Sequence, residues 1–216
     1  MKSFIKKAVT LAALASLCVF AAGCGSSDNN SKSASSDKKE VTVGVTPGIH
    51  AEIMEQVKKE AAKQGITIKI MEFSDYVTPD VALSNKEIDM NSYQHKPYMD
   101  NLVKDKGLKI VSIGQTVVAP IGLYSHKIKS LDEVKDGMTV AVPNDPTNGA
   151  RGLLLLQKAG FIKIKDGVKY PTPQDITDNP KHLQIKELEA AQIPRSLDDV
   201  DFAAINTNYA MDAGLN

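Results

Sequence analysis

Three short stretches of the 216-residue sequence combine polar, aromatic and charged side chains in ways that core packing does not require. One is Val142-Pro-Asn-Asp-Pro-Thr-Asn-Gly-Ala-Arg151. With Pro146 at the first helical position, Asn148 and Arg151 lie three apart and share a helix face. Free N–H groups and the positive dipole end at a helix start favour a nearby anion. Arg151 can grip a carboxylate through two parallel hydrogen bonds. An ordinary surface arginine in the first turns of a helix fits the same pattern.

The next stretch is Ile88-Asp-Met-Asn-Ser-Tyr-Gln-His-Lys-Pro-Tyr98. If residues 90–95 are extended, Tyr93 and His95 project to one side, with Tyr98 just beyond Pro97. Two aromatics and an imidazole there make a pocket wall. They read equally as half-buried core tyrosines beside a surface histidine. The last stretch is Ala203-Ala-Ile-Asn206-Thr-Asn-Tyr209. Asn206 closes a buried strand, and ligands of open α/β sheets bind at the carboxyl ends of strands. A cap on a following helix is an equally good use of that asparagine. Together the stretches fit a small zwitterion or carboxylate, with Arg151 on the carboxylate, amides for polar contacts and tyrosines for an apolar portion.

Other chemistries are not signalled. The sequence has no phosphate-binding loop, no dinucleotide-binding glycine pattern, no His-Glu-x-x-His and no Gly-x-Ser-x-Gly. His50, His95, His126 and His182 are scattered without metal-site spacing. Asp198, Asp199 and Asp201 read as a solvated face. No nucleophile is paired with a general base, so the expectation is a binding protein and not an enzyme, without cofactor or metal. Lys+Arg (26) equals Asp+Glu (26), which argues against a basic nucleic-acid surface. Apolar residues at 42% and charged residues at 24% are an ordinary globular balance.

The elements that position these stretches alternate. Val41–Val45 reads as a strand broken by Pro47-Gly48. Ile49–Gln64 has helical apolar spacing and ends at Gly65. Ile66–Phe73 reads as a strand, Thr78-Pro79 as an N-cap with Pro at the first helical position, and Leu108–Ile113 as a further strand. Val117–Tyr124 is apolar and carries Pro120. Ser130–Glu133 fits a capping box. Met138–Val142, Leu183–Leu188 and Phe202–Ile205 read as strands, and Asp145-Pro146 opens a helix that runs to Lys158 with Gly160 past its end. Such alternation implies an α/β architecture. Two lobes joined near Gln115–Ser125 and one doubly wound sheet both fit the pattern.

The N-terminus reads as an address. Lys2, Lys6 and Lys7 precede an uncharged run, Ala8–Ala22, too short to span a membrane. Ala21-Ala22-Gly23 before Cys24 resembles a lipoprotein box, although Ala21 stands where Leu is usual. A plain signal peptide with an incidental Cys is the alternative. Residues 24–40, rich in Ser, Asp and Asn, read as a flexible tether. The expected product is lipid-anchored at Cys24, after removal of residues 1–23, on the extracytoplasmic side of a membrane in the cell envelope.

The sequence resembles the methionine-binding lipoproteins of bacterial ABC importers, the NlpA-type substrate-binding family. The resemblance runs from about Val41 to the last residue. Its matching stretches are Phe73-Ser-Asp-Tyr-Val-Thr-Pro, Asn91-Ser-Tyr-Gln-His-Lys-Pro-Tyr, Pro143-Asn-Asp-Pro-Thr-Asn-Gly-Ala-Arg, Leu153-Leu-Leu-Leu-Gln and Ile205-Asn-Thr-Asn-Tyr-Ala. The resemblance implies a two-lobed periplasmic-binding-protein fold of type II kind, with a first α/β lobe at 41–118 and a second at 119–216. It implies a methionine held by Arg151 at its carboxylate and sandwiched by Tyr93 and Tyr98. His95, Asn148 and Asn206 would complete the polar shell, with Tyr76 as a further lining residue. A monomer that delivers its ligand to a membrane permease follows.

Two departures bear on this expectation. Tyr93 stands where the family usually has Phe, and a buried hydroxyl needs a partner. That shifts the expectation toward a larger or more polar ligand, such as a methionine-containing dipeptide. The family also continues past Tyr-Ala-Met-Asp-Ala-Gly-Leu, whereas this sequence stops at Asn216. The expected fold therefore lacks the C-terminal crossover and return segment. Another amino acid as ligand, or a surface lipoprotein acting as an adhesin, are the remaining alternatives.

Overall fold

The computed structural model describes residues 40–215. The expected signal segment, the acylated Cys24 and the tether up to residue 39 lie outside them. The first sheet is parallel and has β1 (Glu40–Val45) between β2 (Thr67–Glu72) and β3 (Met90–Asn91). Helices α1 (Ile49–Ala62) and α2 (Thr78–Ser84) make the crossovers, and α3 (Lys96–Lys106) follows β3. Val43 and Val45 are fully buried and pack with Met54 of α1 and Ile68 of β2. A strand flanked on both sides is apolar over most of its length, which is why Val-Gly-Val sits in the middle position.

The second sheet has the order β4-β9-β5-β8, from β4 (Ile121–Tyr124), β5 (Thr139–Pro143), β8 (Gln184–Leu188) and β9 (Phe202–Asn206). β4 is antiparallel to β9, and the other pairings are parallel. Helix α4 (Pro146–Lys158) follows β5, and a short antiparallel ribbon joins β6 (Lys163–Ile164) to β7 (Ile176–Asp178). Every residue of β9 is buried. Val140, Val142, Leu153, Leu156, Phe161 and Phe202 form the core on the α4 side. Gly152 lets α4 lie close on the sheet, because a Cβ there would stand 3.2 Å from Val142 and 3.3 Å from Ala204.

Helix α5 (Thr207–Asp212) leaves the end of β9 and returns toward the first sheet. Gly48, at φ +76°, marks the meeting point: a Cβ on it would lie 2.3 Å from the Asn208 carbonyl oxygen. Only glycine fits that backbone and that gap. The Pro47-Gly48 break foreseen after β1 therefore also seats α5.

The α/β expectation holds, and three local expectations need correction. Leu108–Ile113 forms no strand. Val111 and Ile113 are each 79% exposed, and among the described residues no strand runs alongside to take up its ladder bonds. Thr78 is not the cap of α2. Thr78 is the first helical residue, with Val77 before it as a cap without a side-chain bond, and Asp75 shapes the turn into the helix by accepting from Val77 N at 2.7 Å, Thr78 N at 2.8 Å and Thr78 Oγ1 at 2.6 Å. Asp201 is only partly solvated and has a structural role, since it accepts the Thr139 N–H at 2.7 Å at the start of β5.

Candidate functional site

Asn148 is the centre of the site, and Asp145 aims it. Asp145 caps α4 by accepting from Thr147 N at 3.1 Å and Asn148 N at 2.9 Å. Its other oxygen accepts the Asn148 side-chain N–H at 2.9 Å. The amide of Asn148 is thereby turned with its oxygen outward. That oxygen receives Arg151 Nη1 at 2.9 Å, Asn206 Nδ2 at 2.9 Å and His95 Nε2 at 3.2 Å.

His95 reaches Asn148 from the opposite sheet. It is the N-cap of α3, and its Nδ1 accepts the Tyr98 N–H at 3.0 Å. An acceptor Nδ1 carries no proton, so the neutral ring keeps its proton on Nε2 and donates it to Asn148. Burial lowers the His95 pKa, and Arg151 lowers it further.

Arg151 is half-buried on α4 and also donates from Nη2 to the Ala119 carbonyl at 2.8 Å. Burial lowers its pKa, opposed by Tyr76 and Asp145; a guanidinium stays charged even so. It has more N–H donors than these two bonds use. Asn206 closes β9 and is buried, and its Oδ1 has no hydrogen-bond partner.

Beside this polar group stands a cluster of tyrosines. Tyr76 stacks on Tyr93 at 5.9 Å and meets Tyr98 edge-on at 5.8 Å. The Tyr93 and Tyr98 planes cross at 72°, with centroids 6.5 Å apart, so the two rings form a corner. His95 joins cluster and polar group through an edge contact with Tyr98 at 6.2 Å. The Tyr93 hydroxyl donates to the Tyr76 carbonyl at 2.5 Å. The Tyr76 hydroxyl donates to Asn208 Oδ1 at 2.6 Å. Desolvation raises the pKa of each of these tyrosines, so the cluster stays neutral.

The structure thus brings Tyr76, Tyr93, His95, Tyr98, Asn148, Arg151 and Asn206 into one network. Sequence reasoning missed three partners. Asp145 was legible as the residue before a helix-opening proline. Asn208 and Tyr209 had no local signal, because their roles depend on α5 reaching the first sheet. Tyr209 stacks against Tyr76 at 4.9 Å and donates to the Ser74 carbonyl at 3.2 Å.

The sequence and the fold are similar to those of known proteins. The family model described as NlpA lipoprotein matches residues 41–216. The chain belongs to the NlpA lipoprotein family. It is 53% identical over 198 residues to the D-methionine-binding lipoprotein MetQ of Salmonella typhi, covering 90% of this chain and 70% of that protein. Among solved structures it is similar to the methionine binding protein MetQ at TM-score 0.81 and 53% identity, over 83% of this chain and 75% of the other. It is also similar to a nutrient binding protein from Burkholderia cenocepacia bound to methionine, at TM-score 0.78 and 50% identity, over 81% and 75% of the two chains. The architecture of this NlpA lipoprotein is accordingly that of the periplasmic substrate-binding proteins.

Proposed function

We propose that this chain is a lipid-anchored, extracytoplasmic substrate-binding protein that captures methionine and delivers it to an ABC permease. One observation carries the reading. A guanidinium with spare donors (Arg151) and a buried oxygen without a partner (Asn206 Oδ1) are pinned to one asparagine beside an aromatic corner. Arg151 takes the ligand carboxylate, Asn206 Oδ1 accepts from its ammonium, and the rings of Tyr76, Tyr93 and Tyr98 take the thioether. Sulfur–aromatic contacts contribute about 0.3–1.5 kcal/mol. Names of relatives that specify methionine support the choice of ligand. The Tyr93 hydroxyl bonds within the protein, so it gives no reason to prefer a larger or more polar ligand.

Lobes at 41–118 and 119–216, each built on one of the two sheets, move as a ligand-biased hinge. The protein acts as a monomer held by lipid at Cys24. Calorimetric titration of L- and D-methionine into residues 25–216, refolded after denaturation to strip carried-over ligand, tests the reading. Micromolar or tighter binding, about −8 kcal/mol or better, supports it. Absence of heat from a sample whose circular dichroism shows it refolded overturns it.

A further inference from the structure

Asp80, on α2, is fully buried and makes no ion pair among the described residues. Its Oδ1 accepts Asn91 Nδ2 at 2.7 Å and Gln94 Nε2 at 2.5 Å. These two residues bracket Tyr93 in the link between β3 and α3. Asp80 Oδ2 has no hydrogen-bond partner, and neither has the buried Gln94 Oε1. The Tyr93 hydroxyl, already a donor to the Tyr76 carbonyl, also acts on the Asp80 carboxyl. An ionised carboxylate offers only acceptors, so a bare Oδ2 buried without a cation costs several kcal/mol. A protonated Oδ2 instead carries a donor, and the buried Gln94 Oε1 of the neighbouring side chain is an acceptor without a partner.

We propose that Asp80 is a positioning residue that carries a proton in the folded protein, its neutral carboxyl pegging Asn91, Tyr93 and Gln94 so that the aromatic corner holds its shape. Oδ1 gathers the two amides, and a protonated Oδ2 is no longer a bare buried anionic acceptor. Burial raises the Asp80 pKa, opposed chiefly by the hydrogen bonds from Asn91 and Gln94. The other titratable groups facing this region are Asp75 before α2, Tyr76, Tyr93 and Tyr98. The tyrosine pKa values are all raised and that of Asp75 is lowered, so among these carboxyls only Asp80 is shifted toward its protonated form.

The effect on methionine binding rests on the function proposed above; the protonation state does not. The test therefore has two arms. Carbon-13 NMR of the Asp80 carboxyl in ligand-free protein follows its titration directly. The expected result is a transition well above the ordinary Asp value of about 3.9. A transition at or below that value overturns the proposal. The other arm compares Asp80→Asn with Asp80→Ala. Asparagine reproduces a neutral acid, with one acceptor and one donor head. Expected are an Asp80→Asn affinity for L-methionine within about twofold of wild type, and a loss on the order of tenfold for Asp80→Ala. An Asp80→Asn loss as large as that of Asp80→Ala overturns the proposal. If Asp80→Ala does not fold, Asp80→Asn and the carboxyl titration decide. If wild type binds no methionine, the functional reading fails while the NMR result still decides the state of Asp80.

Discussion

Arg151→Ala separates the structural work of the guanidinium from its proposed hold on a carboxylate. Its two hydrogen bonds, 2.9 Å to Asn148 and 2.8 Å to the Ala119 carbonyl, tie α4 to the segment before β4. Hydrogen bonds to charged groups contribute about 1.5–3 kcal/mol each at most. Arg151 is half-buried, and solvent screening brings the expected stability cost down to about 1 kcal/mol. Asn148 keeps two of its three donors, from His95 and Asn206, so the hub survives the substitution. Affinity suffers more. Removing one side of a desolvated charged pair costs about 2 kcal/mol or more, roughly thirtyfold in Kd. Calorimetry with methionine and with methionine amide, which lacks the carboxylate, reads the two parts apart. Wild type distinguishes the two ligands; Arg151→Ala binds both equally weakly. A folded Arg151→Ala protein with wild-type Kd, or one that still prefers methionine over its amide, refutes the carboxylate role.

Protonating His95 requires a proton on Nδ1, which now accepts the Tyr98 N–H, so acid removes the α3 cap. The folded pKa lies below the ordinary value of about 6.5. The neutral ring's contribution is therefore complete above pH 6.5 and is lost as pH falls from there through the lowered folded value. Melting temperature should fall across that window in wild type and change less in His95→Asn, which keeps an N-cap; parallel curves would exclude His95 as the source. Gly48→Ala forces a side chain onto φ +76° and against the Asn208 carbonyl. A loss of about 2 kcal/mol or more in urea unfolding is expected, and a neutral outcome would mean that α5 does not seat there. Cys24→Ser should move the protein from the membrane fraction to the soluble fraction; equal recovery in the membrane would rule out acylation at Cys24.

How much was legible depended on the range of the interaction. Phe202–Ile205, most of β9, is recognisable from an unbroken apolar run, because a central strand must be buried on both faces. Asp145-Pro146 is recognisable because a cap and a helix-starting proline act within one turn. Asn148 and Arg151 follow from that helix by spacing alone. His95 was legible as chemistry but not as a cap, since nothing local says which ring nitrogen meets Tyr98 N. Leu108–Ile113 has the composition of a strand, but composition does not supply the neighbour that a ladder needs. Asp80 was invisible as a buried acid. Its position beside Pro79 reads as the solvated first turn of a helix, and only the fold brings Asn91 and Gln94 over it.

The polar hub also implies which ligands should fail. The bonds of Asn148 to Asp145, Arg151 and Asn206 all lie within the second sheet and its helix, so they do not depend on how the two sheets meet and add little ordering cost on binding. The unsatisfied groups are of opposite kind: N–H donors on Arg151 and a buried acceptor on Asn206. A carboxylate alone satisfies the donors and leaves Asn206 Oδ1 buried without a partner, at a cost of about 1–3 kcal/mol. An amine alone satisfies Asn206 and places a second positive charge near Arg151. On the proposed reading a group carrying both suits both ends, and an α-amino acid is such a group. On that reading the ligand side chain meets the tyrosine corner, whose hydroxyls from Tyr76 and Tyr93 are already bonded to Asn208 and the Tyr76 carbonyl. Apart from the Tyr98 hydroxyl, the part of the corner left to a ligand is therefore ring surface, which suits a mainly apolar, polarizable chain.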